Sequence, residues 1–468
     1  MLFNSFNFLV FFFVVTIGYF VLPHRYRWLL LLVASCFFYM SFVPYYILIL
    51  FVTIVIDYFA GILIERSTGR RRVTYLWLSI VSTCLVLFVF KYYNFFIDNV
   101  NGLAAMIGWN YALASLKIIL PIGLSFHTFQ SLSYVIEVYR GNQRAESNFG
   151  IYSLYVMYYP QLVAGPIERP QNLLYQFRRV NNFKYANFYR GLRLVVVGFF
   201  MKLVVADRLA IYVDAVYNNA ENHSGVSLAF ATVFFSFQIY CDFAGYSAIA
   251  IGVSRIMGIK LMTNFRRPYF AESVSEFWRR WHISLSTWFK DYVYVSLGGS
   301  RRGKWRTRIN LMITFLISGF WHGANWTYVV WGGLNGLYLI VESSIVGARR
   351  RRAARGVSLL RSMFVFVLIS FSWIFFRSAT VGDAWLIVVK IMAFSGKLFI
   401  PDNVEMLIYC VVAILMLVVL EVFYELIYQH RLLKVNSRRI SDVMMLFMIV
   451  TIVLMGVFDG GQFIYFQF

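Results

Sequence analysis

The stretch S-F-N-F-L-V-F-F-F-V-V-T-I-G-Y-F-V-L, Ser5–Leu22, carries no charged residue, and it decides the class of this molecule. A helix crosses the hydrocarbon core of a bilayer when about 20 predominantly apolar residues follow one another, because a helix satisfies its own backbone polar groups where there is no water. No basic residue precedes the run and no small-residue cleavage site follows it. It therefore reads as a first span, not as a removed signal peptide. Arg25 and Arg27 come next, and then the pattern repeats along the chain: Trp28–Met40, Tyr45–Ile62, Val73–Phe90, Ile118–Tyr139, Gly150–Ala164, Tyr189–Ala206, Val226–Tyr240, Phe243–Met257, Ile309–Trp321, Trp326–Val346, Leu359–Phe376, Val404–Tyr428 and Val443–Phe458.

The whole composition agrees with that stretch. The 468 residues are 60% hydrophobic, 20% aromatic and 14% charged, with a mean hydropathy of +0.68. A soluble domain of this size carries about 25% charged residues. The expected fold is an all-α polytopic membrane protein with roughly eleven to thirteen membrane helices, some of them short enough to be re-entrant or interfacial. Residues 1–468 show neither an internal repeat nor a disordered linker and read as a single membrane domain.

The net charge is +22, from 43 Lys+Arg against 21 Asp+Glu. The cations sit in short loops between apolar runs, which speaks for the positive-inside rule and against nucleic acid as a partner. Arg25 and Arg27, then Arg66 with Arg70–Arg72, put those loops in the cytoplasm and the N-terminus outside. Arg349–Arg352 with Arg355, and the Arg431–Arg439 loop, are expected on the cytoplasmic side as well. Cys36, Cys84, Cys241 and Cys410 lie in or beside apolar runs with no C-x-x-C pair, so neither a disulfide framework nor a metal site is expected.

The segment Arg255–Arg308 departs from the short-loop pattern. It holds twelve cations against three acids, yet it is rich in aromatic residues. Trp278, Trp281, Leu285, Trp288, Phe289 and Tyr292 fall on one stripe at helical spacing, flanked by Arg279, Arg280 and Lys290. The pattern predicts a helix lying at the membrane interface or wedged into the cytoplasmic mouth of the bundle.

Three of the six histidines lie in apolar company. His322, in S-G-F-W-H-G-A-N-W (318–326), sits at the junction of two apolar runs. There an imidazole can take the proton of an attacking hydroxyl, with Gly319, Gly323 and Ala324 leaving room for a substrate. A buried histidine bonded to backbone across a helix break is the equally weighted alternative. His282, in R-R-W-H-I-S-L-S-T-W (279–288), shares the apolar stripe and points inward, with a structural role as well supported as a catalytic one. His127, in P-I-G-L-S-F-H-T-F-Q, reads as a satisfied interior histidine. His24, His223 and His430 read as surface. Asp242 and Gln238, in Q-I-Y-C-D-F-A-G-Y-S, and the breaks at Pro160, Gly165 and Pro166 suggest a polar cavity, since irregular backbone at membrane depth survives only when buried or lining a wet space. No P-loop, G-x-S-x-G or H-E-x-x-H occurs.

Several stretches between about Leu120 and Leu339 resemble the membrane-bound O-acyltransferase family, in particular its bacterial alginate O-acetylating branch. They are L-P-I-G-L-S-F-H-T-F-Q-S-L-S-Y (120–134), A-G-P-I-E-R-P (164–170), Q-I-Y-C-D-F-A-G-Y-S (238–247), N-F-R-R-P-Y-F-A-E-S-V-S-E-F-W-R-R-W-H-I-S-L-S-T-W-F-K-D-Y-V-Y-V-S-L-G-G (264–299) and W-H-G-A-N-W-T-Y-V-V-W-G (321–332). The resemblance implies a curved helical bundle with a central tunnel, His322 as the essential histidine and His282 as a second polar position upstream. Asp242, Gln238, Trp321, Asn325 and Gln130 become candidates for the polar lining. One departure stands out: relatives often carry an acid after the Y-S of the Asp242 motif, where this chain has Ala248.

The function so implied is transfer of acetyl from a cytosolic thioester, acetyl-CoA, for O-acetylation of a bacterial exopolysaccharide such as alginate, through an extracytoplasmic relay or acceptor protein in the inner membrane. No permanently bound cofactor is expected. Arg279, Arg280, Lys290, Arg301 and Arg302 are the candidate cations for the donor's phosphates. The alternatives are a teichoic-acid D-alanylation subunit fed by a carrier protein and, from another class, a polysaccharide transporter or an envelope scaffold. A transporter predicts repeated halves with matched interruptions, and none is visible.

Overall fold

The computed structural model describes residues 1–109, 112–116, 118, 120–163, 165–345, 358–401, 403–430 and 437–458, with side chains at all of these except 426–430 and 437–439. The Arg349–Arg355 cluster, Ala164 and residues 431–436 of the second basic loop lie outside the described residues. The described elements are helical throughout: α1 (Phe6–Val21), α2 (His24–Met40), α3 (Ile47–Arg66), α4 (Gly69–Leu87), α5 (Tyr93–Met106), α6 (Leu124–Arg140), α7 (Phe149–Met157), α8 (Tyr159–Leu162), α9 (Pro170–Arg178), α10 (Tyr185–Phe199), α11 (Asp207–Tyr217), α12 (Gly225–Ile256), α13 (Val274–Arg280), α14 (Ile283–Trp288), α15 (Gly303–His322), α16 (Trp326–Ile345), α17 (Leu359–Arg377), α18 (Val381–Ala393), α19 (Val404–His430) and α20 (Ser437–Met455). Wide π-turns at Phe88–Tyr92, Phe200–Ala206 and Phe289–Tyr294 interrupt or extend these helices.

This is a multi-pass membrane protein. Among the described residues, five helical stretches have the length and apolarity to cross a bilayer: Pro44–Arg66, Gly69–Met106, Gly225–Ile256, Leu359–Arg377 and Val404–Glu425. Phe6–Val21 and Ile440–Met455 are shorter apolar helices. Other apolar runs form helices that interleave polar side chains, such as α6 with His127, Gln130 and Glu137 buried. Bulky apolar side chains stand bare on the outer faces, among them Phe13, Leu360, Phe364, Leu415 and Val419. Water would reject that surface and lipid accepts it.

Some boundaries move for local reasons. The run expected from Ile118 becomes helical only at Leu124, because Gly123 before it has φ +78. A side chain at Gly123 would also meet the Leu162 carbonyl at 2.7 Å, so glycine is required twice over. The runs Val226–Tyr240 and Phe243–Met257 join into the single helix α12. The acid between them does not break it, since Asp242 finds a buried partner described below. The amphipathic helix expected across 278–292 is instead two short helices, α13 and α14. They are split at His282, whose φ of 41 is left-handed. The aromatic stripe is core: Trp281, Leu285, Trp288, Phe289 and Tyr292 are all buried.

Contacts group the chain into two compact units, Met1–Val195 with Ile249–Met262, and Val196–Ala248 with Thr263–Phe468. In the first unit α3, α4 and α6 pack on one another and α2 packs on α7. Gly61 of α3 admits the Tyr134 ring of α6, which a Cβ would meet at 2.6 Å. The second unit has a core rich in aromatic rings from α12, α13, α16 and α17, and α15 and α16 form its tightest pair.

Candidate functional site

Every histidine, acid and basic residue singled out above for chemistry lies in the second unit, whereas His127 and Gln130, both buried, lie on α6 in the first. His322 is the last residue of α15 and is 5% exposed. Aromatic rings surround it: Trp321 at 4.8 Å between centroids, Trp331 at 5.0 Å and Phe376 at 5.3 Å, each edge-on. Trp331 in turn stacks on Trp373 at 5.6 Å. Edge-to-face contacts of this kind fix a ring's plane as well as its position.

The glycines near His322 serve the helix pair that carries it. A Cβ at Gly319 would lie 2.2 Å from the Tyr328 carbonyl oxygen, one at Gly323 would lie 2.0 Å from the Tyr328 ring, and one at Gly332 would lie 2.4 Å from the Phe315 carbonyl. The space expected beside Gly319 and Gly323 is therefore taken by Tyr328 of α16. Asn325 shapes the turn between the helices: its amide donates to the Ala379 carbonyl at 2.7 Å, and its oxygen accepts from the Thr327 N–H at 3.1 Å.

His282 sits in a contrasting setting. It is 1% exposed, with the Phe243 ring edge-on at 4.5 Å and Phe265 at 6.1 Å. A non-glycine residue in the left-handed region costs energy and persists only where its surroundings hold it. Asn264 does much of that holding. Its carbonyl accepts the Ile283 N–H at 2.8 Å, its side-chain oxygen accepts the Ser284 N–H at 3.2 Å and the Ser284 hydroxyl at 2.9 Å, and its amide donates to Ser247 at 2.9 Å. The Ser284 hydroxyl lies 3.5 Å from His282 Nδ1. Burial pushes the His282 imidazole down to about 3, so the ring is neutral at physiological pH and can orient or polarise but not carry charge.

A run of ring contacts connects the two histidines: Phe265 to Trp281 at 5.2 Å, Trp281 to Trp373 at 5.1 Å, then Trp373 to Trp331 and on to His322. Asp242 approaches His282 through the chain, since its neighbour Phe243 is the ring on the imidazole. Its carboxylate takes a 2.6 Å bond from Lys202, which is 1% exposed and also bonds Asp207 at 2.7 Å. Gln238 and Trp321 are buried in the same unit.

The five candidate donor-binding cations divide. Arg280 is committed within the protein, to Glu276 at 2.7 Å and Glu425 at 3.0 Å, while Arg267 pairs with the same Glu425. Arg279, Lys290, Arg301 and Arg302 are exposed. Lys202, Asp207 and Asn264 join the site only in the structure. A lone lysine inside V-V-V-G-F-F-M-K-L-V-V-A-D was the available signal for the first two. Asn264 gave none, because its role depends on three partners distant in sequence.

Comparison with known proteins completes the picture. The family model for MBOAT, the membrane-bound O-acyltransferase family, matches residues 146–381. The chain is 37% identical over 399 residues to "Probable alginate O-acetylase AlgI" of Azotobacter vinelandii, covering 84% of this chain and 79% of that protein. It is 33% identical over 414 residues to "Peptidoglycan O-acetyltransferase" of Helicobacter pylori, covering 81% and 77%. Similarity to "Teichoic acid D-alanyltransferase" of Streptococcus thermophilus is 28% over 237 residues, covering 48% and 57%.

Proposed function

Because this chain belongs to the membrane-bound O-acyltransferase family, we propose that it moves an acetyl group from cytosolic acetyl-CoA to a hydroxyl of a bacterial cell-surface polysaccharide. The protein works as one domain in the inner membrane with its N-terminus outside, and an extracytoplasmic protein relays the group to the sugar. The observation that carries the reading is His322 itself: an imidazole buried at the end of α15 and held edge-on by Trp321, Trp331 and Phe376. The similarity to an alginate O-acetylase and a peptidoglycan O-acetyltransferase supports acetyl as the group and a polysaccharide as its destination.

In this mechanism the acceptor oxygen attacks the thioester carbonyl while His322 takes the hydroxyl proton. The C–S bond breaks, and the proton passes from the imidazolium to the departing thiolate, leaving the ester and free thiol. His282 stays neutral and orients or polarises the carbonyl. A tunnel lined by Asp242, Gln238, Trp321 and Asn325 brings donor and acceptor together. Arg279, Lys290, Arg301 and Arg302 attract the donor's phosphates, and Arg280 braces the entrance through Glu276 and Glu425.

The test is transfer of labelled acetyl from acetyl-CoA in membranes holding wild type or His322→Ala at equal protein level. Loss of about 10²–10⁴-fold is expected, the range of general-base catalysis. Transfer that survives the substitution removes His322 from the chemistry. Transfer that appears only with an acylated carrier protein assigns the chain to the D-alanylating kind of reaction.

A further inference from the structure

In the first unit, a carboxylate lies at mid-span with no charged partner among the described residues. Asp57 is fully buried on α3, eleven residues into a helix of 20, so it stands about 15 Å from either end at 1.5 Å rise per residue. Its surroundings are all hydroxyl. Ser79 donates to its Oδ1 at 2.5 Å, and Thr83, one turn along the same face of α4, donates to Oδ1 at 3.2 Å and Oδ2 at 3.1 Å. From α6, Ser131 faces the same carboxylate. Ser131 is 0% exposed, and among the described residues its hydroxyl makes no well-formed hydrogen bond. Beyond it stands the Tyr152 hydroxyl, equally buried and turned toward the Ser131 hydroxyl. One turn back along α3 and α6, Thr53 bonds His127 at 2.6 Å. Among the described residues no lysine, arginine or histidine pairs with Asp57.

A buried carboxylate without a counter-charge is costly, and it is resolved by a partner, a proton or a metal ion. The second unit uses a partner, Lys202, for Asp242. Among the described residues, the groups that hydrogen-bond or face the Asp57 carboxylate are hard oxygens: its own two and one each from Ser79, Thr83 and Ser131. Hard oxygen sets suit hard cations and not zinc or copper. The single negative charge matches one positive charge, because a divalent ion would leave a buried excess.

We propose that Asp57, Ser79, Thr83 and Ser131 form a binding site for one small monovalent cation, Na⁺, where α3, α4 and α6 meet. With the ion bound, the serine and threonine hydroxyls turn their protons to helix carbonyls one turn back, as such side chains do, and give their lone pairs to the metal. The ion then clamps three helices that otherwise meet through a lone charge.

The test is thermal unfolding of the purified full-length protein in nanodiscs, in sodium chloride and in N-methyl-D-glucamine chloride at equal ionic strength. Sodium raises Tm by about 2–5 °C and the effect saturates, as for any ligand that binds only the folded state. Asp57→Asn, neutral and nearly isosteric, folds without the ion and loses the response. Should that variant fail to fold, Thr83→Val and Ser79→Ala decide: the sodium concentration giving half the shift rises at least about threefold, one ligand's share of affinity. A wild-type Tm that is equal in both salts and follows pH instead identifies a protonated acid and overturns the proposal. So does an Asp57→Asn protein that still responds to sodium, or an unchanged midpoint in the hydroxyl variants.

Discussion

His322 and His282 are both buried in the same unit, but the protein holds them by opposite means. The α15–α16 pair around His322 is fixed by shape, through glycine backbone against carbonyl and edge-on rings. The break at His282 is fixed by charge and hydrogen bonds, with Lys202 securing Asp242 on α12 and Asn264 tying Ser247, Ile283 and Ser284 together. A site fixed by shape fails when an atom is added, and one fixed by polar contacts fails when an atom is removed. Close packing leaves no slack for an extra methyl group, and an unsatisfied buried polar group costs its full desolvation.

The largest effect is expected where charge is removed. Lys202→Met leaves Asp207 and Asp242 facing each other in a dry interior, and about 3–5 kcal/mol of stability is lost, as when one partner of a buried ion pair is deleted. Loss of folded protein in membranes and a lowered Tm after extraction would show it. Near-normal stability would mean that the two carboxylates share protons and that the lysine is dispensable. Gly319→Ala tests the other holding mode. The added methyl group overlaps the Tyr328 carbonyl at 2.2 Å, and about 1–3 kcal/mol of overpacking strain is expected. A larger loss of transfer than of stability would show that the strain reaches His322. An unaffected protein would mean that the helix pair has room after all.

The same contrast governs what could be read from sequence. The membrane class was legible from Ser5–Leu22 and its repeats, because apolarity over the width of a bilayer is a property of consecutive residues. His322 and His282 were legible as inward-facing, since an imidazole flanked by apolar runs must face protein or a cavity and not lipid. The break at His282 was not, because its aromatic spacing suits a continuous helix and the left-handed turn depends on Asn264 from elsewhere in the chain. Gly319 and Gly323 were visible as small residues, yet only the partner helix shows that Tyr328 fills the space. The commitment of Arg280 was likewise hidden, since Glu425 lies far along the chain.

Asn264→Ala sharpens the comparison with a smaller change. It strips the acceptor from Ser284 and the donor from Ser247 while leaving the backbone contact to Ile283, at a cost of about 1–3 kcal/mol. A positioning role predicts that acyl transfer falls further than folded protein does, and that Asn264→Asp, which keeps the acceptor, restores part of it. A parallel fall in both would make the residue structural only.

The smallest effect comes from His282 and appears as a slope with pH. Its ring is depressed from 6.5 to about 3 in the fold, so between those values the unfolded chain binds a proton that the folded protein refuses. Stability is then fully present above about 6.5 and falls as the pH drops, by about 1.4 kcal/mol for each unit below it. Comparing Tm at mildly acidic and neutral pH for wild type and His282→Asn isolates the effect, since asparagine tolerates the left-handed backbone and does not titrate. The variant should lose one proton's worth of slope. If its slope equals that of wild type, the imidazole titrates in the fold as it does in the unfolded chain, and burial does not hold it neutral at mildly acidic pH.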